Sequence, residues 1–286
     1  MGRTLDLETA TAVGAGRRRI IKRPRLTRLL DESGARIVLL VAPAGYGKTT
    51  LAQEWLGEDV RRAAWYRGGP AAADVAALAV GLAHATSEIV PGAGDRMRER
   101  LRATDRPEEE AQLLAEMLAE DLAEWPDDAW LAIDDYQFAM DSAAAEQFVD
   151  TLATDAPLRL LVTSRRRPTW ASARRRLYGE VVEVDRTLLA MSDAEALEVL
   201  DRQGRDASDL LVKAAGWPAV IGLAALTGEL SMPAREFPTT LYDYFAEELY
   251  QAAEPALRKA FASLPSPPRS VMNSRNPSLA KWPRLR

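Results

Sequence analysis

The residues best suited to chemistry are Ala42-Pro43-Ala44-Gly45-Tyr46-Gly47-Lys48-Thr49. Gly45 and Gly47 let a backbone turn fold so that successive N–H groups converge, and the helix that follows would aim its positive end at the same point. That set suits a phosphate chain: Lys48 supplies a point charge to β- and γ-phosphates, and the Thr49 hydroxyl is a magnesium ligand. Ala44, Tyr46 and Thr50 belong to the same contour and count with Gly45, Gly47, Lys48 and Thr49 as candidate nucleotide contacts. The spacing is that of the Walker A pattern with one departure, alanine at position 42 where glycine is usual. The alternative is an ordinary glycine-rich turn between a strand and a helix. Two things argue against it: the turn sits between a buried apolar run and a helix, and the chain holds only five lysines, so Lys48 is no product of abundance.

Two further positions could share that chemistry. Asp134 ends the apolar run Ala129-Trp130-Leu131-Ala132-Ile133, where a Walker B carboxylate that holds magnesium is expected, and Asp135 could then orient or polarise an attacking water. Two solvated acids at a strand end are the plainer reading, and a bound Mg²⁺ offsets the repulsion between neighbouring carboxylates. Arg165, after the apolar run Leu158 to Thr163, is expected to face the γ-phosphate and stabilise its charge or report its loss. Its neighbours Arg166 and Arg167 leave a basic surface loop as the other possibility.

These side chains need a scaffold, and the pattern supplies one. Arg36 to Ala42 is a continuous apolar run ending in a Pro/Gly turn, the mark of a parallel strand buried on both faces. Ala63 to Tyr66, Ala129 to Ile133, Leu158 to Thr163 and Val181 to Val184 read as further strands. Helices are expected over Thr49 to Leu56, over Ala72 to Ala85, through Leu114, Leu118 and Leu122, and through Phe148 and Leu152, with Pro91 to Arg106 a surface connection. Alternation of this kind implies an α/β fold, a parallel sheet flanked by helices, with ligands at the carboxyl ends of the strands. After Asp185 the strands cease. Ser192-Asp193-Ala194-Glu195 is a capping box, a helix from Asp206 stops at Gly216, and Trp217-Pro218 restarts one through Leu226. The division expected is a flexible N-terminus over 1–19, the nucleotide-binding domain over 20–187, a small all-helical domain over 188–236, the start of a winged-helix-like region over 237–264, and a disordered tail over 265–286 that is basic, rich in proline and without acids.

Composition narrows the function classes. With no cysteine and the single histidine His84, thiolate zinc sites, thiol catalysis, disulfides and triads needing a second imidazole are excluded. Thirty-seven basic and 42 acidic residues give a net charge of −5, which offers no global reason for nucleic-acid binding. No window resembles a signal peptide or a membrane span, so a cytoplasmic location and no membrane partner are expected.

Over about residues 20 to 264 the chain resembles the STAND class of P-loop ATPases, specifically the large ATP-binding LuxR-type transcriptional regulators of the maltose-regulon-activator kind. The segments that carry the likeness are Val41 to Thr50, Ile133-Asp134-Asp135-Tyr136, Thr163-Ser164-Arg165, Gly216-Trp217-Pro218 and Tyr244-Phe245-Ala246-Glu247-Glu248. The resemblance implies binding of ATP or ADP with Mg²⁺, contact of Pro218 with the adenine, and a base-lining position for Arg25. It implies a switch with a closed ADP form, an ATP form that self-associates, and slow hydrolysis as reset. A full-length member continues through a winged helix, a helical-repeat sensor and a DNA-binding helix-turn-helix. DNA binding is therefore expected only from domains outside this sequence, and the segment from Pro265 reads as a truncated, frame-shifted or altered end. The competing readings are a P-loop ATPase with sustained turnover, a nucleotide-binding scaffold that never hydrolyses, and a nucleic-acid binder using the basic tail.

Overall fold

The computed structural model describes residues 21–57, 61–201 and 214–227, all within a compact unit that runs to Ala234. The expectations for 1–19, for most of the helix from Asp206, for 237–264 and for 265–286 lie outside the described residues.

The five apolar runs form five strands, β1 Ile37–Val41, β2 Arg62–Arg67, β3 Ala129–Asp134, β4 Arg159–Ser164 and β5 Val181–Asp185. Around and between them lie helices α1 Pro24–Ser33, α2 Lys48–Leu56, α3 Val75–Ser87, α4 Asp95–Ala103, α5 Ala111–Asp121, α6 Ala143–Asp155 and the short α7 Ala173–Leu177. Every strand pair is parallel, and the order across the sheet is β2-β3-β4-β1-β5. Successive side chains of a strand point to opposite faces, which divides the core in two. Ile37, Leu39, Leu131, Ile133, Leu160 and Val162 pack with α3, α5 and α6, whereas Val38, Leu40, Trp130, Ala132 and Leu161 pack with α1 and α2. Burial on both faces is why the three central strands read as unbroken apolar runs.

The strand order is what makes the site. β1 and β4 are neighbours, yet the chain leaves β1 toward β2 at one edge and leaves β4 toward β5 at the other. Divergence of this kind opens a crevice at the carboxyl ends of the two strands.

Helix α4 corrects the reading of Pro91 to Arg106 as a surface connection. Its sequence Asp95-Arg96-Met97-Arg98-Glu99-Arg100-Leu101-Arg102-Ala103 lacks a broad apolar stripe, and its stability comes from packing. Met97 is fully buried, a contribution of about 1.5–3 kcal/mol. Gly94, at φ 81°, starts the helix and donates its N–H to Asp121 Oδ2 at 2.9 Å. Arg100 pairs with Glu110 at 2.6 Å on the far side of the turn.

After β5 come α8 Arg186–Leu189, α9 Asp193–Asp201 and α10 Pro218–Thr227. The capping box is formed, with Ser192 N–H on Glu195 Oε2 at 2.9 Å and Glu195 N–H on Ser192 Oγ at 3.2 Å. Gly216 precedes α10 at φ 72°, and a Cβ there would lie 2.6 Å from the Met191 carbonyl oxygen, so the position admits only glycine.

Candidate functional site

The turn between β1 and α2 depends on two left-handed residues, Gly45 at φ 77° and Gly47 at φ 75°. A Cβ on Gly47 would meet nothing within 4 Å, so the requirement there is conformational and not one of space. Lys48, at the first position of α2, is 8% exposed, and its Nζ donates to the Ala42 carbonyl at 2.8 Å and the Pro43 carbonyl at 3.0 Å. The ammonium thus lies across the neck of the turn that its own helix closes.

Next along α2, the Thr49 hydroxyl donates to Asp134 Oδ1 at 2.8 Å. Asp134 is 3% exposed at the end of β3, and the same oxygen accepts the Thr163 hydroxyl at 2.5 Å. β4 pairs with β3, so Thr163 at its carboxyl end falls beside Asp134, while the Thr49–Asp134 bond is the one that crosses from α2. The Thr163 oxygen also accepts the Asp135 N–H at 3.1 Å. Asp135 adopts the left-handed conformation at φ 55°, which aspartate tolerates better than most residues. Its carboxylate accepts Gln137 Nε2 at 3.0 Å and lies 3.7 Å from the exposed Arg67 guanidinium. Gln137 turns its other end to Arg165, whose N–H it accepts at 3.2 Å. Lys48, Thr49, Asp134, Asp135 and the Arg165 backbone therefore share one cleft.

The donor set fits a hydrated divalent cation and the phosphates it would bridge. A threonine oxygen and a carboxylate oxygen 2.8 Å apart match neighbouring corners of an octahedron with bonds of about 2.0–2.1 Å. Among the described residues no group of three or more acidic or histidine side chains is arranged to hold a metal, so a cation here would complete its shell with phosphate and water oxygens.

Arg25 is engaged elsewhere by its guanidinium, which donates to the Leu188 carbonyl at 3.0 Å, the Ala190 carbonyl at 3.2 Å and Glu195 Oε2 at 3.3 Å. Arg23, almost fully buried beside it, donates to the Leu189 carbonyl at 2.7 Å and to Glu195 at 3.2 Å. Burial lowers the Arg23 pKa, and the Glu195 carboxylate opposes that. Together the two arginines tie α1 to the turn between α8 and α9.

Pro218 opens α10, and the residues on either side of it, Trp217 and Ala219, hold the loop. The Trp217 ring stacks on Tyr46 with centroids 6.0 Å apart and planes at 16°. Trp217 Nε1 donates to the Ala44 carbonyl at 3.3 Å, and the Ala219 N–H donates to the Gly45 carbonyl at 3.0 Å. Sequence reasoning gave no role to Trp217, Thr163, Gln137 or Gly68, although Trp217 and Thr163 lie in segments that carry the family likeness. The Gly68 N–H donates to the Asp134 carbonyl at 2.7 Å, and a Cβ there would lie 2.7 Å from the Asp135 carbonyl. Thr163 carried a signal, a hydroxyl at the carboxyl end of a buried strand. Trp217 stood out only as the middle residue of Gly216-Trp217-Pro218, and its pairing with Tyr46, far away in sequence, had no local signal.

No protein-family model matches the chain. The HTH-type transcriptional regulator MalT of Vibrio cholerae is 26% identical over 261 residues, a match covering 83% of this chain and 28% of that protein. The serine/threonine-protein kinase PknK of Mycobacterium tuberculosis is 25% identical over 258 residues, covering 84% of this chain and 23% of that protein. The chain thus spans about a quarter of the length of these curated relatives. A STAND protein with a tetratricopeptide repeat sensor from Pyrococcus horikoshii superposes with a TM-score of 0.47 at 16% identity, over 82% of this chain and 32% of that one. The parallel sheet with its glycine turn between β1 and α2 is a P-loop NTPase fold, and over most of its length the chain is similar to MalT-type transcriptional regulators.

Proposed function

We propose that this chain binds ATP and ADP with Mg²⁺ and serves as the nucleotide-operated switch of a LuxR-type transcriptional regulator. The observation that carries the reading is the 2.8 Å approach of the Thr49 hydroxyl to Asp134 beneath the glycine turn. That approach supports a cation position next to the N-terminus of α2 and to Lys48. The bound cation would neutralise charge on the β- and γ-phosphates. Lys48 exchanges its carbonyl partners for phosphate oxygens, the N–H groups of Gly45 to Thr50 bind the β-phosphate, and Asp135 orients water for slow hydrolysis. A γ-phosphate in contact with one arrangement of the chain better than another is all that a switch requires. Self-association in the ATP state, a cytoplasmic setting, and DNA binding through further domains belong to this proposal.

Stabilisation by Mg-ATP tests it. At ligand about a hundredfold above its dissociation constant the parent should gain about 2.7 kcal/mol, and Lys48→Ala should abolish that gain. Undiminished stabilisation of the variant would refute the assignment.

One observation favours a second reading, a scaffold that binds nucleotide without hydrolysing it. The Asp135 carboxylate is already occupied by Gln137 and paired with Arg67, a poor start for a group that must engage water. Asp135→Asn decides between them: slow turnover by the parent and none by the variant supports the switch, whereas no turnover by either supports the scaffold.

A further inference from the structure

We propose that Trp217 and Ala219 are positioning residues for the phosphate-binding turn, so that phosphate affinity depends on the docking of α10. The inference rests on the reading of that turn as a phosphate site. A trans peptide is planar, with the carbonyl of one residue and the N–H of the next pointing in opposite directions. Fixing the Ala44 carbonyl therefore fixes the Gly45 N–H, and fixing the Gly45 carbonyl fixes the Tyr46 N–H. The structure holds both carbonyls from outside the turn, one by the Trp217 indole and the other by the Ala219 main chain. Gly45 sits between these two peptide groups, and glycine moves between positive and negative φ at little cost. Without the external donors the freedom of Gly45 lets this pair of N–H groups turn apart.

Tyr46 supplies the grip. Phosphate binding by main-chain groups has no use for a phenol at this position, and the ring is turned away from water, 5% exposed. It stacks on Trp217. The Arg186 guanidinium also lies over it, 5.9 Å from the ring centroid, with Nε donating to the phenolic oxygen at 3.0 Å. The turn is thereby held by residues from α8 and from the start of α10. Coupling of this kind is reciprocal: if docking of α10 tightens phosphate binding, bound phosphate tightens docking by the same factor.

The discriminating probe is inorganic tripolyphosphate with Mg²⁺, which has phosphates and no base, measured by calorimetry beside Mg-ATP. Trp217→Phe keeps the ring and loses the N–H, and should weaken both ligands about fivefold, the worth of one hydrogen bond. Trp217→Leu loses the stack as well and should weaken both by about tenfold or more, by the same factor for each. Arg186→Gln should weaken both less. The unfolding midpoint without ligand monitors the fold, and the Phe variant decides should the Leu variant not fold. Loss of ATP affinity with tripolyphosphate unchanged would place Trp217 on the base and overturn the proposal, as would unchanged binding of both ligands. A parent that binds neither ligand overturns the underlying phosphate-site reading, an outcome distinct from either.

Discussion

On the β1–α2 side of the cleft the groups that would meet a phosphate are mostly main-chain N–H groups, aimed by two glycines at positive φ and by carbonyls anchored on Trp217 and Ala219. On the β3–β4 side lie the side chains that would hold the cation and the water, a chain of hydrogen bonds from Asp134, which Thr49 of α2 reaches, through Thr163 to Asp135 and Gln137. The first side is specified by backbone conformation, so it should tolerate changes of side chain and fail when φ is disfavoured. The second is specified by satisfaction of buried polar groups, so it should tolerate changes of shape and fail when a donor or acceptor is removed.

The largest test of that contrast is Asp134→Ala. Two hydroxyls lose their shared acceptor in a buried setting, which should lower stability by about 1–3 kcal/mol. Nucleotide affinity should also cease to respond to Mg²⁺, while the binding of metal-free ATP by the glycine turn persists. Titrations of ATP with Mg²⁺ and with EDTA measure this. Equal loss in both would mean that the two sides are not separable.

Gly47→Ala attacks the other side. Its φ of 75° is open to glycine but costs other residues about 1–2 kcal/mol, and the Cβ meets no atom within 4 Å. We expect ATP affinity to fall by roughly five- to thirtyfold, in Mg²⁺ and in EDTA alike. Thr163→Val comes next: it keeps the shape and deletes a hydroxyl that both donates and accepts. A stability loss of about 0.5–1.5 kcal/mol per hydrogen bond is expected, with hydrolysis reduced more than affinity because the Asp135 N–H loses its partner. Thr163→Ser should restore both.

The same contrast explains how much was legible in the sequence. The glycine turn is local: eight consecutive residues carry it, and the apolar run before them and the helix after them announce where it lies. Asp134 could be placed for a similar reason, as an acid at the end of a strand buried throughout. The strands, too, were readable, since burial on both faces leaves unbroken apolar runs. What could not be read is what long-range pairing creates. The strand order puts β4 between β1 and β3, and only then does Thr163 come to hold the same Asp134 oxygen that Thr49 reaches from α2. Trp217 meets Tyr46 because α10 returns to the loop. Helix α4 went unread because its stability comes from the burial of Met97 against other elements and from Asp121 and Glu110, which lie outside its own sequence. Arg25 was expected beside the base, and its guanidinium is on Glu195 and the carbonyls of the turn after α8.

The smallest effect expected concerns that last group and asks whether it belongs to the scaffold or to the cleft. Burial pushes the Glu195 pKa up, but the Ser192 N–H and the guanidiniums of Arg23 and Arg25 outweigh it and hold the carboxyl below its ordinary value of 4.5. A carboxylate with a depressed pKa in the folded state stabilises the fold fully above its unfolded value, and the contribution is lost as pH falls through the folded value. The unfolding midpoint of the parent should therefore decline below about pH 4.5 more steeply than that of Glu195→Gln, and the parent's advantage should be constant from pH 6 to 8. Superimposable curves would show that the carboxylate contributes nothing through its charge. At pH 7 the same variant, and Arg25→Gln with it, should bind tripolyphosphate and ATP as the parent does. A selective loss of ATP by Arg25→Gln would instead move Arg25 from the scaffold to the base.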